Sequence, residues 1–271
     1  MLTPTDIWNA LAAARDKGEP IAIISILPKA LSEGTSASPS ESRRMLVGAN
    51  GEVIAGDLGS LEIENKATQL ALEIISNDRL DICAKEIDGR RVVIEVARPP
   101  DEVIICGGGH VGRAVAGAAR FLNFSVTVID DRAEFVSRER FPDENVQLIA
   151  ADFVQALQGL QFTAATHVVI VTRGHKHDEL CLREVIERPA RYVGMIGSRR
   201  RTTTIREHLR REGVSVESLK RVHAPVGLDI GAQTPEEIAF AILSEIVMVR
   251  RGGTGMPKGA RMLYKAEPGA S

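Results

Sequence analysis

The sequence has few cysteines and few aromatic residues. Its three cysteines, Cys83, Cys106 and Cys181, are odd in number and far apart, so they predict neither a disulfide framework nor a Cys-x-x-Cys metal site. Aromatic residues make up 4% of the chain, whereas 44% is hydrophobic and 26% is charged, as in soluble globular proteins. We therefore expect a folded chain whose thiols belong to the core or to a helix face.

The sequence also lacks a charge excess and a long apolar run. Its 34 basic and 36 acidic residues give a net charge of −2, which argues against general binding of nucleic acid. No apolar stretch approaches the roughly 20 residues that a helix needs to cross a bilayer. The first residues show no charged segment followed by an apolar one, as a secretory signal would. These absences predict no nucleic-acid partner, no membrane association and a cytoplasmic location.

The N-terminal part shows a mixed pattern of helices and hairpins. Apolar residues at helical spacing predict helices over residues 5–17 and 60–75. Asn50-Gly51 and Asp88-Gly89 each lie between two short apolar runs, and such pairs favour hairpin turns because their central positions take positive φ. We therefore predict a small α+β domain over residues 1–98.

After Pro99-Pro100 the pattern changes to an alternation of short strands and helices. Runs rich in β-branched residues predict five strands: Val103–Cys106, Val126–Ile129, Val146–Ile149, Val168–Thr172 and Tyr192–Ile196. Helical stretches follow these strands, near residues 112–122, 152–157, 178–187, 199–212 and 235–250. Such alternation implies a parallel sheet with helices on both faces. The fold class is therefore α/β, with a Rossmann-like domain over residues 99–251 and a flexible tail over 252–271.

The first strand of this domain leads into a glycine-rich turn that precedes a helix. The turn contains the G-x-G-x-x-G pattern in Gly107, Gly108, Gly109, His110, Val111 and Gly112. Gly107 permits the tight turn, Gly109 lets backbone amides approach a phosphate, and Gly112 allows the helix to pack closely on the strand. The helix N-terminus then offers unpaired amides to the anion. The turn therefore predicts a phosphate-bearing cofactor, and the alternative is a turn with only a packing role.

The second strand ends in acidic residues about 20 positions after the glycine turn. Asp130 has the position from which a carboxylate accepts hydrogen bonds from ribose hydroxyls. Asp131 and Arg132 follow at once, and Arg132 could instead pair with a 2′-phosphate. The choice between NAD and NADP therefore stays open.

Two further loops are expected at the same edge of the sheet, because ligands of such sheets bind beyond the carboxyl ends of the strands. The loop after the fourth strand contains Arg173, His175, His177 and Asp178, which we expect to lie opposite the glycine turn. The alternative is that this loop is only the solvent-exposed start of a helix. A metal site there is not predicted, since ligands at i, i+2 and i+3 rarely converge.

The loop after the fifth strand contains Gly197, Ser198, Arg199 and Arg200 at the start of a helix. Arginines at that end oppose the helix dipole, so a bound anion would relieve their repulsion; the alternative is a basic surface patch. Before the last helix, Thr234 is the expected N-cap. We predict no catalytic residue.

Taken together, these motifs resemble the xanthine dehydrogenase accessory factor family, XdhC/CoxI. Five segments match its C-terminal domain in order: GGGHVGRAV, VTVIDDR, TRGHKHD, YVGMIGSRRR and HAPVGLDIGAQTPEEIA. The resemblance implies a cytoplasmic chaperone that binds molybdenum cofactor (molybdopterin) and supports its sulfuration by a cysteine desulfurase. It also implies insertion of the cofactor into a xanthine dehydrogenase-like molybdenum hydroxylase, and a homodimer. In the N-terminal domain the match is weaker, and the turn at 56–62 lacks the cysteine of the family pattern.

Functions of other classes are also compatible with these motifs. An NAD(P)-dependent oxidoreductase could use the same Rossmann domain, with His110, His175 or His177 as proton donor. The sequence has no Tyr-x-x-x-Lys pair for that chemistry. A nucleotide-sensing regulatory module is a third hypothesis, although no DNA-binding element is evident.

Overall fold

The computed structural model of the chain describes residues 2–27, 43–76 and 81–259. The side chains of residues 15, 16 and 175 lie outside this description, as does the greater part of the predicted tail. Within the described ranges, no helix has both the length and the apolar character that a membrane span requires. The chain divides into two compact units, Met1–Pro100 and Asp101–Ser271.

In its described residues, the first unit is an antiparallel sheet with two helices. Its described elements are α1 (Pro4–Lys17), β1 (Ile21–Ile26), β2 (Arg43–Gly48), β3 (Val53–Gly56), α2 (Leu61–Ser76), β4 (Ile82–Ile87) and β5 (Arg90–Ala97). The strand order is β3-β2-β1-β5-β4. Helix α2 buries Ala67 and Ala71 against Ile24, Val92 and Ile94 of the sheet, which forms the core of this unit.

Both predicted hairpins of this unit are present, but their turns differ in conformation. Asp88 and Gly89 both have positive φ, 48° and 69°, which confirms the turn between β4 and β5. Between β2 and β3 only Gly51 has positive φ, so the expectation for Asn50 is wrong. There the side-chain oxygen of Asn50 accepts a hydrogen bond from the amide of Glu52 (3.0 Å), which supports a longer loop instead.

The second unit contains a parallel sheet of six strands. Its described elements are β6 (Glu102–Cys106), α3 (His110–Phe121), β7 (Ser125–Asp130), a 3₁₀ turn (Ala133–Phe135), β8 (Val146–Ala150), α4 (Phe153–Gln158), β9 (Thr166–Ile170), α5 (His175–Val185), β10 (Tyr192–Met195), α6 (Arg199–Arg211), α7 (Val216–Lys220), β11 (Val222–His223) and α8 (Pro235–Arg251). The strand order is β11-β10-β9-β6-β7-β8, and every described pairing is parallel. This is the doubly wound order whose direction reverses between β6 and β9, and it confirms the predicted α/β class.

Helices cover both faces of this sheet, and the strands are apolar on both sides for that reason. Ile105 of β6 belongs to the core formed with α3 and α8, whereas Ile104 belongs to the core formed with α4, α5 and α6. Cys106 and Cys181 are fully buried in the latter core, and Cys83 is half-buried on β4.

Two element boundaries differ from the sequence prediction. The fourth strand of the sheet, β9, spans Thr166–Ile170 rather than Val168–Thr172, and α5 begins at His175 rather than near 178. The segment predicted as a loop is therefore in part the first turn of a helix, because Gly174 serves as an N-cap without any side-chain signal. Two short elements, α7 and β11, were not predicted, since two to five residues show no periodicity.

Candidate functional site

The glycines of the turn between β6 and α3 differ in how much space surrounds them. Gly107 has a φ of +119°, and a Cβ there would lie 2.4 Å from the carbonyl oxygen of Val171. A Cβ on Gly112 would lie 1.8 Å from the carbonyl oxygen of Gly107. Gly109 has an ordinary φ of −66°, and a Cβ on it would meet nothing within 4 Å. The backbone of the turn is therefore tightly packed on one side and faces open space at Gly109.

The open side of the turn presents backbone donors. Gly109 is the N-cap of α3, and no side chain caps this helix. Among the described residues, none accepts a hydrogen bond from the amides of Gly109, His110, Val111 or Gly112. The first turn of α3 also contains no acidic residue. Free amides and the positive end of the helix dipole make this position suited to an anion.

Helix α5, which follows the neighbouring strand β9, begins in a similar way. Its N-cap is Gly174, no side chain caps it, and a Cβ on Gly174 would meet nothing within 4 Å. Since β6 and β9 flank the reversal of strand order, both glycine-capped helices start at the same crevice. The other described α-helices of this unit each have a side-chain cap, from Asp152, Ser198, Ser215 or Thr234. The predicted cap Thr234 is confirmed and forms a capping box with Glu237.

Asp130, at the end of β7, holds the glycine turn in place. Its carboxylate is 1% exposed and accepts a hydrogen bond of 2.9 Å from the amide of Gly108. The two oxygens also accept from Nε and a terminal nitrogen of Arg132, at 2.9 and 3.0 Å. Burial alone would raise the pKa of Asp130, but the hydrogen bonds from Arg132 and the backbone outweigh it and lower the pKa. The carboxylate predicted to accept from ribose is thus ionised and bound to the protein itself.

An ion pair connects the loops that follow β7 and β9. The Oδ2 atom of Asp131 lies 2.9 Å from a terminal nitrogen of Arg173, and its Oδ1 atom lies 3.8 Å from Nε of Arg132. Because β6 lies between β7 and β9, this pair passes across the end of the strand that carries the glycine turn. The structure therefore brings predicted residues of two separate loops together.

Hydrogen bonds from Thr172 to Asp178 stabilise the loop between β9 and α5. Its Oδ1 atom accepts hydrogen bonds from the hydroxyl and the amide of Thr172, at 2.6 and 3.2 Å. Burial raises the pKa of this carboxyl to about 6, although the bonds from Thr172 and the charge of His177 act in the opposite direction. The ring of His177 packs against Phe153, with 5.5 Å between ring centres. The side chain of His175 lies outside the described residues.

The third predicted loop lies farther along the sheet. Gly197 precedes Ser198, which caps α6 by accepting from the amide of Arg201, and the side chains of Arg199 and Arg200 are exposed. No described carboxylate forms an ion pair with Arg199 or Arg200. Their strand, β10, is separated from β6 by β9, and no contact joins these arginines to the glycine turn in the described part of the chain. Their role in binding stays a prediction.

A buried polar cluster at β10, β11 and α8 was not predicted. Glu245 accepts hydrogen bonds from the hydroxyl of Tyr192 (2.5 Å), the amide of Gly227 (2.8 Å) and Nδ1 of His223 (3.1 Å). The rings of Tyr192 and His223 stack with 4.6 Å between centres. Burial raises the pKa of Tyr192; it would also raise that of Glu245, but these hydrogen bonds lower it. The sequence signal was present, because Glu245 lies on the apolar face of α8 beside Ile242 and Ile246.

A second polar cluster links α5 to α6. Glu179, His208 and Glu212 have potential ligand atoms within 4.8 Å of one another. Arg183 pairs with both carboxylates, at 3.0 and 2.6 Å, and so offsets part of their charge. We assign no metal to this cluster.

Comparison with known proteins places the second unit in a family. The family model described as the XdhC Rossmann domain matches residues 103–246, from β6 into α8. The uncharacterized protein YqeB of Escherichia coli K12 is 30% identical over 263 residues, which cover 92% of this chain and 47% of that protein. A protein of Bacillus subtilis 168, described as a probable xanthine dehydrogenase subunit, is 30% identical over 158 residues, which cover 58% of this chain and 46% of that protein. The chain thus spans about half the length of these curated relatives.

A solved structure shares the fold. A protein described as a xanthine dehydrogenase from Bacillus halodurans superposes with a TM-score of 0.51 at 18% identity. The match covers 91% of this chain and 96% of that one. At this level of identity the likeness concerns the fold.

Proposed function

This chain belongs to the XdhC family, and on that basis we propose that it is an accessory factor for a xanthine dehydrogenase-like molybdenum hydroxylase. In this role it binds molybdenum cofactor as cargo, supports its sulfuration together with a cysteine desulfurase, and delivers it to the hydroxylase. The family match supports the accessory role, and the B. subtilis relative described as a probable xanthine dehydrogenase subunit supports the choice of partner.

The main support for cofactor binding is the set of backbone amides at the glycine turn that have no hydrogen-bond acceptor among the described residues. The cofactor bears a phosphate, and the amides of Gly109, His110 and Val111 have no acceptor among the described residues. The open space at Gly109 leaves room for phosphate oxygens, and the start of α3 adds a positive dipole. The glycine-capped start of α5, on the other side of the same crevice, offers a second set of donors to a larger anion.

The residues around the crevice bind and orient in this proposal. Asp130 fixes the turn through Gly108, and Asp178 fixes the neighbouring loop through Thr172. Arg173 can exchange its partner Asp131 for the cargo's anionic group, since the pair is half-exposed and its net stabilisation is small. When the cofactor is bound it supplies the molybdenum centre for the hydroxylase, and the protein supplies the phosphate site.

An NAD(P)-dependent oxidoreductase is the second candidate. It depends on a carboxylate free to accept from ribose, whereas both oxygens of Asp130 already hold Gly108 and Arg132. It also depends on a proton donor: of the candidates His110, His175 and His177, His110 is exposed and His177 packs against Phe153. For this reason we propose the oxidoreductase only as the second candidate, after the chaperone.

The proposal is tested on the full chain purified from a host that makes molybdopterin. We expect pterin fluorescence and molybdenum to copurify with the wild-type protein, and both to be lost in a folded Gly109→Val variant. A wild-type protein that carries neither, yet binds NADH, would instead support the oxidoreductase. Copurification with the hydroxylase and the desulfurase tests the partners, and sedimentation tests the proposed homodimer.

A further inference from the structure

We propose that Arg140 is the positioning residue that prepares the glycine turn for its anion. Arg140 lies between the 3₁₀ turn and β8, 32 residues after Gly108 in sequence, and its terminal nitrogen donates to the carbonyl oxygen of Gly108 at 3.2 Å. The inference rests on the proposed function, because it names a residue that serves the phosphate site at this turn.

The contact orients a donor of the anion site. A trans peptide is planar, so its N–H points opposite to its C=O. When Arg140 holds the carbonyl of Gly108, the N–H of Gly109 is turned to the other side of the same peptide, and no described residue accepts from it. The preceding amide, that of Gly108, is held by Asp130 at 2.9 Å. The two contacts fix the peptides on either side of Gly108, and a charged donor on the carbonyl strengthens the Gly109 N–H through polarisation.

The charge of Arg140 also distinguishes it from the other cations of this region. Arg132 pairs with Asp130, and Arg173 pairs with Asp131. Arg140 is half-buried, yet no described carboxylate forms an ion pair with it. Its Nε atom is buried without a hydrogen-bond partner in the described structure, and its guanidinium lies 4.9 Å from the ring centre of Phe135.

A half-buried cation without a counter-ion is unfavourable, because it has lost part of its hydration and gained no opposite charge. An anion bound by the Gly109 N–H would supply that charge across the Gly108–Gly109 peptide, on the side opposite to the guanidinium. The geometry therefore favours a ligand with a fully ionised phosphate over a neutral group, and it gives Arg140 a role that Arg132 cannot fill while Asp130 holds it.

The test uses the ¹⁵N-labelled full chain, titrated with inorganic pyrophosphate at constant ionic strength while the backbone amide signals of the turn are followed. In the wild type, we expect the signals of Gly109 and His110 to shift and saturate. Arg140→Gln should weaken binding at least about tenfold, because the Gly109 N–H loses the charged group that orients and polarises its peptide. Arg140→Lys, which retains the charge and one donor to the carbonyl, should recover part of the affinity and provides a second variant should the glutamine variant fold poorly.

Arg138→Gln is the matched control. Arg138 lies in the same segment, its side chain is exposed, and it donates to the carbonyl of Asp143 rather than to the turn. We expect its affinity to stay within about twofold of the wild type, as for a distant exposed charge. If Arg138→Gln and Arg140→Gln lost affinity equally, or if Arg140→Gln lost none, the inference about Arg140 would be overturned. Neither result would contradict the phosphate site at the glycine turn. If pyrophosphate moved no amide of the turn in the wild type, the proposed function itself would fail.

Discussion

The hydroxyl of Thr172 donates a hydrogen bond of 2.6 Å to the carboxylate of Asp178, which is 5% exposed. This bond joins the end of β9 to the first turn of α5, at the crevice where ligands of such sheets bind. Burial raises the pKa of Asp178 to about 6 in spite of this bond. The loop is therefore held by a carboxylate that is destabilised when it ionises, which makes its contribution to stability dependent on pH.

The first prediction concerns the pH dependence of folding. The pKa of Asp178 rises from a reference value of 3.8 to about 6, so between these pH values the native state binds more protons than the unfolded state. The stability that this group contributes is present at low pH and falls as the pH rises through this window. Asp178→Asn keeps an oxygen acceptor and removes the charge. Its free energy of unfolding, relative to wild type, should rise by about 2–3 kcal/mol between pH 4 and 7.5, as measured by urea denaturation.

Asp143 provides a control of opposite sign. Hydrogen bonds from Arg120 and Asn145 lower the pKa of Asp143 to about 2, so its contribution is present above pH 4 and is lost as the pH falls toward 2. Asp143→Asn should therefore be less stable than wild type at neutral pH, and the difference should vanish in acid. If Asp178→Asn followed the wild-type profile at every pH, the raised pKa would be contradicted.

The second prediction separates packing from binding at the glycine turn. Gly109→Val places its side chain in open space with an allowed φ, so we expect little change in thermal stability. The same side chain would occupy the approach to the free amides, and binding of molybdopterin should fall at least about tenfold. Gly112→Ala should instead lower the thermal stability, because its Cβ would clash with the carbonyl oxygen of Gly107 and destabilise the fold. Calorimetric melting measures the change in stability, and fluorescence titration measures the change in affinity. An affinity equal to that of the wild type in folded Gly109→Val would refute the site.

The third prediction concerns the buried cluster around Glu245. Tyr192→Phe removes a hydrogen bond to an ionised carboxylate that keeps its bonds to Gly227 and His223. We expect a loss of about 1.5–3 kcal/mol in the free energy of unfolding, as for other bonds to charged groups. A double-mutant cycle with Glu245→Gln measures the coupling. Additive losses in the two single variants would show that the hydroxyl and the carboxylate do not stabilise each other.

The fold of the second unit could be predicted because its signals are local. Runs such as Val103–Cys106 are apolar at every position, as strands buried on both faces must be, and the G-x-G-x-x-G pattern lies between a strand and a helix. The start of α5 was misplaced for a local reason as well. Gly174 caps the helix without a side chain, so the sequence offers no polar residue to mark the boundary.

The contacts that the sequence did not reveal join residues far apart along the chain. Arg140 reaches Gly108 across 32 residues, and Tyr192 reaches Glu245 across 53. Periodicity and turn chemistry extend over a few residues, so they cannot pair such side chains. The same limit applies to Asp130. The sequence predicts its place at the end of a strand, but its bidentate contact with Arg132 depends on the conformation after β7.

The fourth prediction tests the exposed arginines at the start of α6. Arg199 and Arg200 oppose the dipole of this helix, and no described carboxylate forms an ion pair with them. If the cargo extends from the glycine turn past β9, its anionic groups reach these side chains, and each good contact contributes about 1.5–3 kcal/mol. Replacing both by Gln should weaken molybdopterin binding at least about tenfold and flatten its salt dependence, while the melting temperature of the free protein stays the same or rises slightly.

The control for this pair lies at the other end of the same helix. Arg210 and Arg211 are equally exposed, and replacing both by Gln makes the identical change in net charge about one helix length from the crevice. These cations favour the dipole, so their loss should lower stability slightly and leave binding nearly unchanged. Because the two double variants differ only in position, equal losses of affinity would assign the effect to net charge. Arg199 and Arg200 would then lie on a basic surface patch, and the cargo would end before β10.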